Sequence, residues 1–414
     1  MDVKLGLGPE NLSPVLVKKV VRQGGKEAFA EGSADLHENA ELTVAGKQVQ
    51  RITKRVGHEW AAIRDREVEA FKRGELPRLY TGRPQAAALM VDGGRLLVRA
   101  EEAGPGVHQP QWRTPRYACC LTLQSKPSAQ DPQPEPPTKF LDPERVRKVV
   151  QEIQSRGNMP VARKVAQPAA ASQASRRRKP CRLHKRPVRR LVRTVVATMS
   201  SAQDFAYMAA AEVYLRGMDR ADRKGYVCDG ELCNWTIWDE HFRAQGFVPI
   251  LDFLHLLAHL YTAAQAAGGG TAKQWERYQR WLRWAWAGQR QELWLAVKAA
   301  AADAGSPPKN ASDQDPRRIL ASAVTYLTNN LERMDYPRYR KLGLPYSSAP
   351  VESVVKQFNR RVKGTEKFWC ESGAEAVLQV RAAYLSEDGR AQRYWSMPRP
   401  LYRAVGRNRL NFAA

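Results

Sequence analysis

The chain has 414 residues, 43% of them hydrophobic, enough for about two or three domains with cores of their own. Its 67 Lys and Arg against 42 Asp and Glu give a net charge of +25, which favours a polyanionic partner because binding phosphates releases counterions. The chain lacks an apolar run of about 18 residues and a signal-peptide pattern, so we expect a cytoplasmic protein with no membrane partner.

The first region, residues 1–80, has the apolar periodicity of helices joined by short turns. We predict a helix over 26–38, a tight turn at 41–43 and a second helix from Gly46 onward. This spacing is typical of a helix-turn-helix, whose second helix enters the major groove of DNA. The polar side of that helix carries Lys47, Gln50, Arg51, Lys54 and Arg55. These side chains suit contacts to phosphates and base edges, or they form a solvated face of an ordinary helical hairpin.

After Pro84 the periodicity changes to that of strands. Apolar runs at 86–91, 95–99 and 117–123 predict three consecutive strands that form a meander at the start of a sheet. Further along the chain, strands are predicted at 191–197 and 225–228, with a helix over 202–216 between them. The pattern indicates an α/β domain.

A proline-rich and basic insert at about 125–190 interrupts this domain. Residues 125–139 predict an irregular connection and residues 142–156 a helix. Ten basic residues without an acid then follow between 176 and 193: Arg176, Arg177, Arg178, Lys179, Arg182, Lys185, Arg186, Arg189, Arg190 and Arg193. Such a run is either a solvated segment or an anion-binding one, and we expect contact with nucleic acid.

Residues 261–345 are predicted to be helical and are rich in tryptophan. Five of the eleven tryptophans fall there: Trp275, Trp281, Trp284, Trp286 and Trp294. A dense group of tryptophans on helices indicates a small core more often than a stacking platform for bases.

Two aspartates end apolar strand-like runs, and each precedes a glycine. Asp92 follows the 86–91 run and Asp229 follows the 225–228 run, which would place both carboxylates at a sheet edge with open backbone approach. Phosphodiester chemistry by two metal ions needs a few carboxylates held together, because each Mg²⁺ takes one or two and leaves its other positions to phosphate and water. Taken singly, an Asp-Gly is an ordinary turn.

A third carboxylate is expected on a helix beside the sheet. Glu352 stands at the start of a helix predicted from about residue 348. Lys356, Asn359 and Lys363 follow at four, seven and eleven residues, on the same helical face, and suit contacts to a DNA backbone. The three acids in this context predict a metal-dependent site.

His255 and His259 are four residues apart on a predicted helix. This spacing permits shared metal ligation, but no third ligand at a known spacing accompanies them. We therefore interpret both as packing or backbone-contact residues and assign neither a catalytic role.

The motifs around these acids, in order, resemble those of bacterial insertion-sequence transposases of the ISKra type. The resemblance spans roughly residues 20–385. It is carried by Met90-Val91-Asp92-Gly93-Gly94, by the block from Val227 to Trp238, by the Asp-x-x-His block from Leu251 to Leu260, and by the block from Ala349 to Trp369. The usual glycine before the last block is replaced by Ser347-Ser348-Ala349, and the 125–190 insert is an addition.

The resemblance implies a DDE transposase with an α/β RNase H-like catalytic domain, a mixed sheet flanked by helices. It places the first part of that domain at 84–260, an all-helical insertion at 261–345, the third carboxylate at 346–386 and a tail at 387–414. Asp92, Asp229 and Glu352 would ligate two Mg²⁺ or Mn²⁺ ions, Asp92 binding both. One ion would activate water against a phosphodiester at the transposon end, and the freed 3′ hydroxyl would then attack target DNA. The Asp-x-x-His block would bring His255 near the scissile phosphate.

The resemblance also implies partners and a place in the cell. Double-stranded DNA, as transposon ends and target, would be bound by a homodimer or larger synaptic assembly associated with the bacterial nucleoid. Two rival functions remain open. One is a transposase-derived DNA-binding protein without catalysis, and the other is an RNase H-like nuclease without strand transfer.

Overall fold

The computed structural model describes residues 12–99, 111–155, 188–364 and 367–397. Its strands are β1 (Ala86–Gly93), β2 (Leu96–Arg99), β3 (Gln111–Arg113), β4 (Arg116–Ser125), β5 (Val188–Thr198), β6 (Arg223–Cys228), β7 (Val248–Leu251) and β8 (Trp369–Cys370). Its longer helices are α1 (Pro14–Lys26), α2 (Phe29–Ala40), α3 (Gly46–Lys72), α4 (Pro143–Gln154), α5 (Ala202–Leu215), α6 (Leu232–His241), α7 (Phe253–Ala266), α8 (Thr271–Trp286), α9 (Arg290–Ala304), α10 (Pro316–Asn330), α11 (Tyr336–Lys341), α12 (Ala349–Val362), α13 (Glu371–Leu385) and α14 (Arg390–Ser396). The fold is mixed α/β, with helices packed against a five-stranded sheet.

The central sheet has the strand order β5-β4-β1-β6-β7. Strand β4 runs antiparallel to β1 and β5, whereas β6 is parallel to β1 and β7 is parallel to β6. Ala86 to Val91 are at most 1% exposed, because β1 lies in the middle of the sheet and packs on both faces. The parallel strands therefore end at one common edge.

The predicted meander is wrong in one respect. Strand β1 pairs with β4 directly, and β2 leaves the central sheet to pair with β3 and β8 in a small second sheet. The chain turns away after β1 at Gly93 and Gly94, and the Gly94 amide donates to the Pro115 carbonyl at 2.9 Å. This bond closes the base of a hairpin between β1 and β4.

The proline-rich segment after β4 is irregular, as predicted, and it is anchored to the helical region. Arg340, 3% exposed at its side chain, donates to both carboxylate oxygens of Asp131 and stacks 4.1 Å over the ring of Trp286. The Trp286 indole in turn donates to the Gln133 carbonyl at 2.9 Å. The predicted helix follows as α4, capped by Asp142, whose side chain accepts from the Arg145 amide.

Helices α7 to α11 form the predicted helical region. Trp281 and Trp286 are at most 1% exposed, so these tryptophans pack a core, as expected. Within the described ranges, no helix combines the length and apolarity needed to cross a membrane.

The N-terminal helices α1, α2 and α3 share a small core. It consists of Val17, Val20, Val21, Leu36, Val44, Val49, Ile52, Val56 and, from α13, Val380. Helix α2 ends at Glu41, which takes a left-handed conformation with φ of 51°, and α3 starts after a short connection. Because Val380 belongs to α13, these helices are packed onto the body of the protein.

Helix α3 crosses α13 at a close approach that Gly57 makes possible. A Cβ atom built on Gly57 would lie 2.2 Å from the Ala376 carbonyl oxygen. Next to this crossing, Glu375 of α13 pairs with Arg64 of α3 and accepts a bond of 2.7 Å from the Met199 amide. One carboxylate thus joins α3, α13 and the end of β5.

We expect Gly57→Ala to destabilise the protein. The gain in helix propensity, about 0.5–1 kcal/mol, is smaller than the cost of moving a packed backbone, so the free energy of unfolding should fall by about 1–3 kcal/mol. Gly32→Ala in α2 is the matched control, because its nearest neighbours would be 3.4 Å away, at ordinary contact distance. Urea unfolding measures both, and equal stability of the two variants would contradict the close approach.

Candidate active site

Two of the predicted carboxylates lie side by side at the ends of parallel strands. Met90 of β1 is opposite Val227 of β6, and Asp92 and Asp229 each stand two residues further along. Asp92 is still within β1, whereas Asp229 follows the last residue of β6. Because neighbouring strands are about 4.8 Å apart, the two residues leave adjacent strands at the same level of the sheet, and the charges of both act on His255.

A third aspartate continues this row. Cys228 and Leu251 are opposite each other at the ends of β6 and β7, and Asp229 and Asp252 are the residues that follow them. Asp252 is not among the predicted site residues. The signal was present, since Asp252 also ends an apolar run, but Pro249 obscures the strand.

Asp229 is held by the chain that follows it. Its Oδ1 accepts from the Glu231 amide at 3.1 Å and from the Asn234 side-chain amide at 3.0 Å. Its backbone carbonyl accepts from the Tyr326 hydroxyl at 2.9 Å. Gly230, with φ of 98°, makes the turn into α6 that allows these bonds.

Asp252 is fully buried, and both of its oxygens accept hydrogen bonds. The Ser348 amide donates to Oδ1 at 2.6 Å, and the amide and Nδ1 of His255 bond to Oδ2 at 2.9 and 2.6 Å. Burial alone would raise the pKa of Asp252, but the bonds from His255 and Ser348 lower it overall. Asp252 therefore joins the start of α7 to the start of α12, 96 residues later.

His255 lies in this group of acids and is 13% exposed at its side chain. Burial would lower its pKa, but the bond to Asp252, reinforced by the charges of Asp229 and Asp92, raises the pKa to about 9. The imidazole is therefore a cation at neutral pH. This outcome differs from the packing role that we expected for His255.

His259, one turn further along α7, differs from His255 in its charge. Burial and the neighbouring charge of His255 lower the pKa of His259 to about 3, so its ring is neutral. The ring stacks on Tyr326 with centroids 3.7 Å apart. This packing role agrees with the prediction.

Glu352 lies in the first turn of α12 and is 8% exposed. Its Oε1 accepts from the Ser348 hydroxyl at 3.1 Å. Helix α12 is held over β1 and β4, and the ring of Phe358 contacts that of Tyr117, the residue opposite Asp92 in β4. The N-terminal end of α12 thereby reaches the edge where the aspartates lie.

The group able to hold a metal ion differs from the predicted one. In the described part of the chain, Asp252, His255 and Glu352 offer ligand atoms within 4.8 Å of one another, and Asp92 and Asp229 are not part of that set. Asp252 and His255 bond to each other, so in this arrangement they form an ion pair. Asp92, Asp229 and Glu352 supply the oxygen donors that Mg²⁺ prefers, and chemically they fit a divalent ion.

The predicted DNA-contacting residues of α3 fall into two sets. Lys47 and Arg51 are exposed, whereas Gln50, Lys54 and Arg55 are partly buried. Lys54 Nζ lies 3.9 Å from Cys370 Sγ, and Arg55 pairs with Glu59 at 2.6 Å. The exposed pair marks the start of α3 as the part able to meet a phosphate.

The predicted DNA contacts on the Glu352 helix differ in their surroundings. Lys356 forms an exposed ion pair with Glu152 of α4 at 2.6 Å, and the Asn359 side-chain oxygen is buried. Lys363 follows the end of α12 and is partly buried.

Most of the basic run lies outside the described residues, including Arg176, Arg177, Arg178, Lys179, Lys185 and Arg186. Arg189 and Arg190 belong to β5, at the edge of the central sheet, and Arg189 is exposed. Arg190 and Arg193 pair with Glu387 at 3.0 and 3.3 Å. The C-terminal end of the run thus has an acidic partner that is distant in sequence.

The chain matches no protein-family model, and no curated protein is significantly similar to it in sequence.

We expect His255 in metal-free protein to titrate near pH 9 and His259 to stay neutral down to about pH 3. Since the pKa of His255 is raised above its usual 6.5, the stability it contributes is complete below about pH 6.5 and is lost as the pH rises through about 9. Nitrogen-15 spectra of labelled histidine follow the titration. In Asp252→Asn the His255 pKa should fall, and an unchanged value would contradict the ion pair.

Proposed function

We propose that this protein is a DNA transposase of the DDE type, which cleaves DNA ends and transfers the new 3′ ends to target DNA. The observation that carries the proposal is the common edge of β1 and β6, where Asp92 and Asp229 lie side by side and the helix of Glu352 begins. Metal-dependent phosphodiester chemistry requires a few carboxylates brought together from separate elements. Of the three predicted acids, Glu352 already has a ligand atom within 4.8 Å of those of Asp252 and His255.

The fold supports the proposal in its layout. A mixed sheet with helices packed against it is the arrangement expected for an RNase H-like catalytic domain, and the helical region from α8 to α11 separates Asp229 from Glu352 as an insertion would. Helices α2 and α3 are joined by five residues, slightly more than the three or four of a usual helix-turn-helix, and they are the candidates for that motif.

Asp92, Asp229 and Glu352 would hold two divalent ions, either Mg²⁺ or Mn²⁺. The bound ions would position the reacting phosphate. Bound divalent ions supply charge neutralisation and a more acidic attacking hydroxyl. Ser348 orients Glu352 through its hydroxyl, and Asn234 orients Asp229. These bonds hold the carboxylates in place before the substrate binds.

His255 would act on the phosphate as a cation. Asp252 holds Nδ1 of the ring, so Nε2 is the nitrogen that can donate to a phosphate oxygen. The buried Asp252 fixes both the orientation and the positive charge of the ring. His255 is thus proposed to bind the anionic substrate, and Asp252 to position His255.

Double-stranded DNA is the proposed partner, both as transposon ends and as target. The net charge of +25 favours it, and Lys47 and Arg51 offer exposed charges at the start of α3. Because two ends must react together, a homodimer or larger synaptic assembly is part of the proposal.

We expect Asp92→Asn, Asp229→Asn and Glu352→Gln each to lower Mg²⁺-dependent cleavage and strand transfer by a factor on the order of 100 or more, because each removes a metal-ligating charge. The assay uses a labelled DNA end, taken from inverted repeats that flank the gene, and a target plasmid. Asp313→Asn and Glu332→Gln, with side chains 81% and 85% exposed, are the matched controls.

The products distinguish the proposed function from its rivals. Strand-transfer product that needs Mg²⁺ and all three acids supports a transposase. Cleavage without strand transfer identifies a nuclease, and DNA binding with neither reaction, unchanged in the three variants, identifies a DNA-binding protein. Either of the last two results would overturn the proposal.

A further inference from the structure

A small sheet that follows the first predicted carboxylate buries one face of its strands β2 and β8 and leaves β3 exposed on both faces. It has the strand order β3-β2-β8, with β2 antiparallel to β3 and parallel to β8. Leu96, Val98 and Trp369 are 2%, 3% and 6% exposed, because they point into the core. Side chains alternate along a strand, so the residues between them point to the other face.

That other face carries a row of apolar side chains, one from each of three chain segments. Leu97 of β2 is opposite Trp112 of β3, and Phe368 directly precedes Trp369, the partner of Val98. Trp112 is 67% exposed and Phe368 is 47% exposed. We name Trp112, Leu97 and Phe368 the aromatic row. Large aromatic side chains so exposed on one face are typical of a binding surface.

Arginines flank the aromatic row. Arg95 and Arg99 stand two residues before and after Leu97 and are exposed, so both lie on its side of β2. The guanidinium of Arg99 lies 5.2 Å from the ring centroid of Phe368. The row therefore combines aromatic faces with positive charge, the combination that binds single-stranded nucleic acid.

The strand at the centre of the aromatic row follows closely on Asp92 in the chain. Strand β2 begins four residues after Asp92, and the bond from Gly94 to Pro115 holds the base of this hairpin. Arg95 and Arg116 act electrostatically on Glu231, two residues after Asp229. A DNA strand that passes the carboxylates can therefore continue onto the row.

We propose that the aromatic row binds unpaired bases of a DNA strand by stacking, with Arg95 and Arg99 on its phosphates. This proposal rests on the proposed function in one respect, namely that the bound strand is the substrate DNA at its cleavage site. The stacking itself needs only a single strand, because base faces are covered in a duplex. A second copy of this chain is disfavoured as the occupant, since each copy carries a net charge of +25.

The test measures how tightly the full chain binds a fluorescein-labelled oligothymidylate of twelve nucleotides. Binding is followed by fluorescence anisotropy in buffer that contains EDTA. We expect Trp112→Ala and Phe368→Ala each to weaken binding by about tenfold, and Trp112→Tyr, which keeps a stacking ring, by less than about threefold. Leu295→Ala is the matched control, because Leu295 is 57% exposed and lies on α9, in the helical region. Binding of a duplex of the same length should change by less than twofold in every variant.

Three results would overturn the proposal. They are unchanged affinity for the single strand in both alanine variants, an equal loss for single strand and duplex, and a change in oligomeric state by light scattering without a change in DNA binding. Thermal melting checks that each variant is folded, and Trp112→Tyr provides a second reading if an alanine variant is not. Since EDTA excludes metal-dependent chemistry, this result is independent of whether the carboxylates cleave DNA.

Discussion

Carboxylates at the ends of neighbouring parallel strands repel one another, and much of the surrounding structure offsets that repulsion. The register of β1, β6 and β7 places Asp92, Asp229 and Asp252 in one row. Asp252, which is the most buried of the three, has its charge balanced by the His255 cation and by hydrogen bonds from two backbone amides. A divalent ion would add positive charge to the same edge, so the protein provides in its own side chains a part of what such an ion supplies.

Those features of the fold that depend on local pattern could be predicted from the sequence. The apolar runs before Asp92 and Asp229, the helix after Asp142 and the tryptophan-rich core all appear where the pattern placed them. Pairing could not be predicted, because it depends on contacts distant in sequence. Strand β2 has the composition of a sheet strand, yet its partners are β3 and β8, and β8 lies about 270 residues further on.

The candidate site, too, could be predicted only where it depends on local sequence patterns. Asp92, Asp229 and the helix of Glu352 follow from strand and helix ends, which are local signals. Asp252 and His255 belong to a recognisable block, but their chemistry depends on Ser348, which lies 96 residues from Asp252 and donates its amide to it. No spacing rule for metal ligands covers such an arrangement, so the sequence predicts only a packing or backbone-contact role for His255. Ser348 bonds to both acids, because its amide donates to Asp252 and its hydroxyl donates to Glu352.

The crossing of α3 and α13 at Gly57 fixes the position of α3 relative to the sheet that carries the predicted carboxylates. Helix α3 is joined to the body by backbone contact and by Glu375, which reaches β5, and β5 belongs to the same sheet as the carboxylates. A DNA sequence held at the start of α3 would therefore be a set distance from the cutting edge. Under the proposed function, the cut would then fall a constant number of base pairs from the recognised sequence.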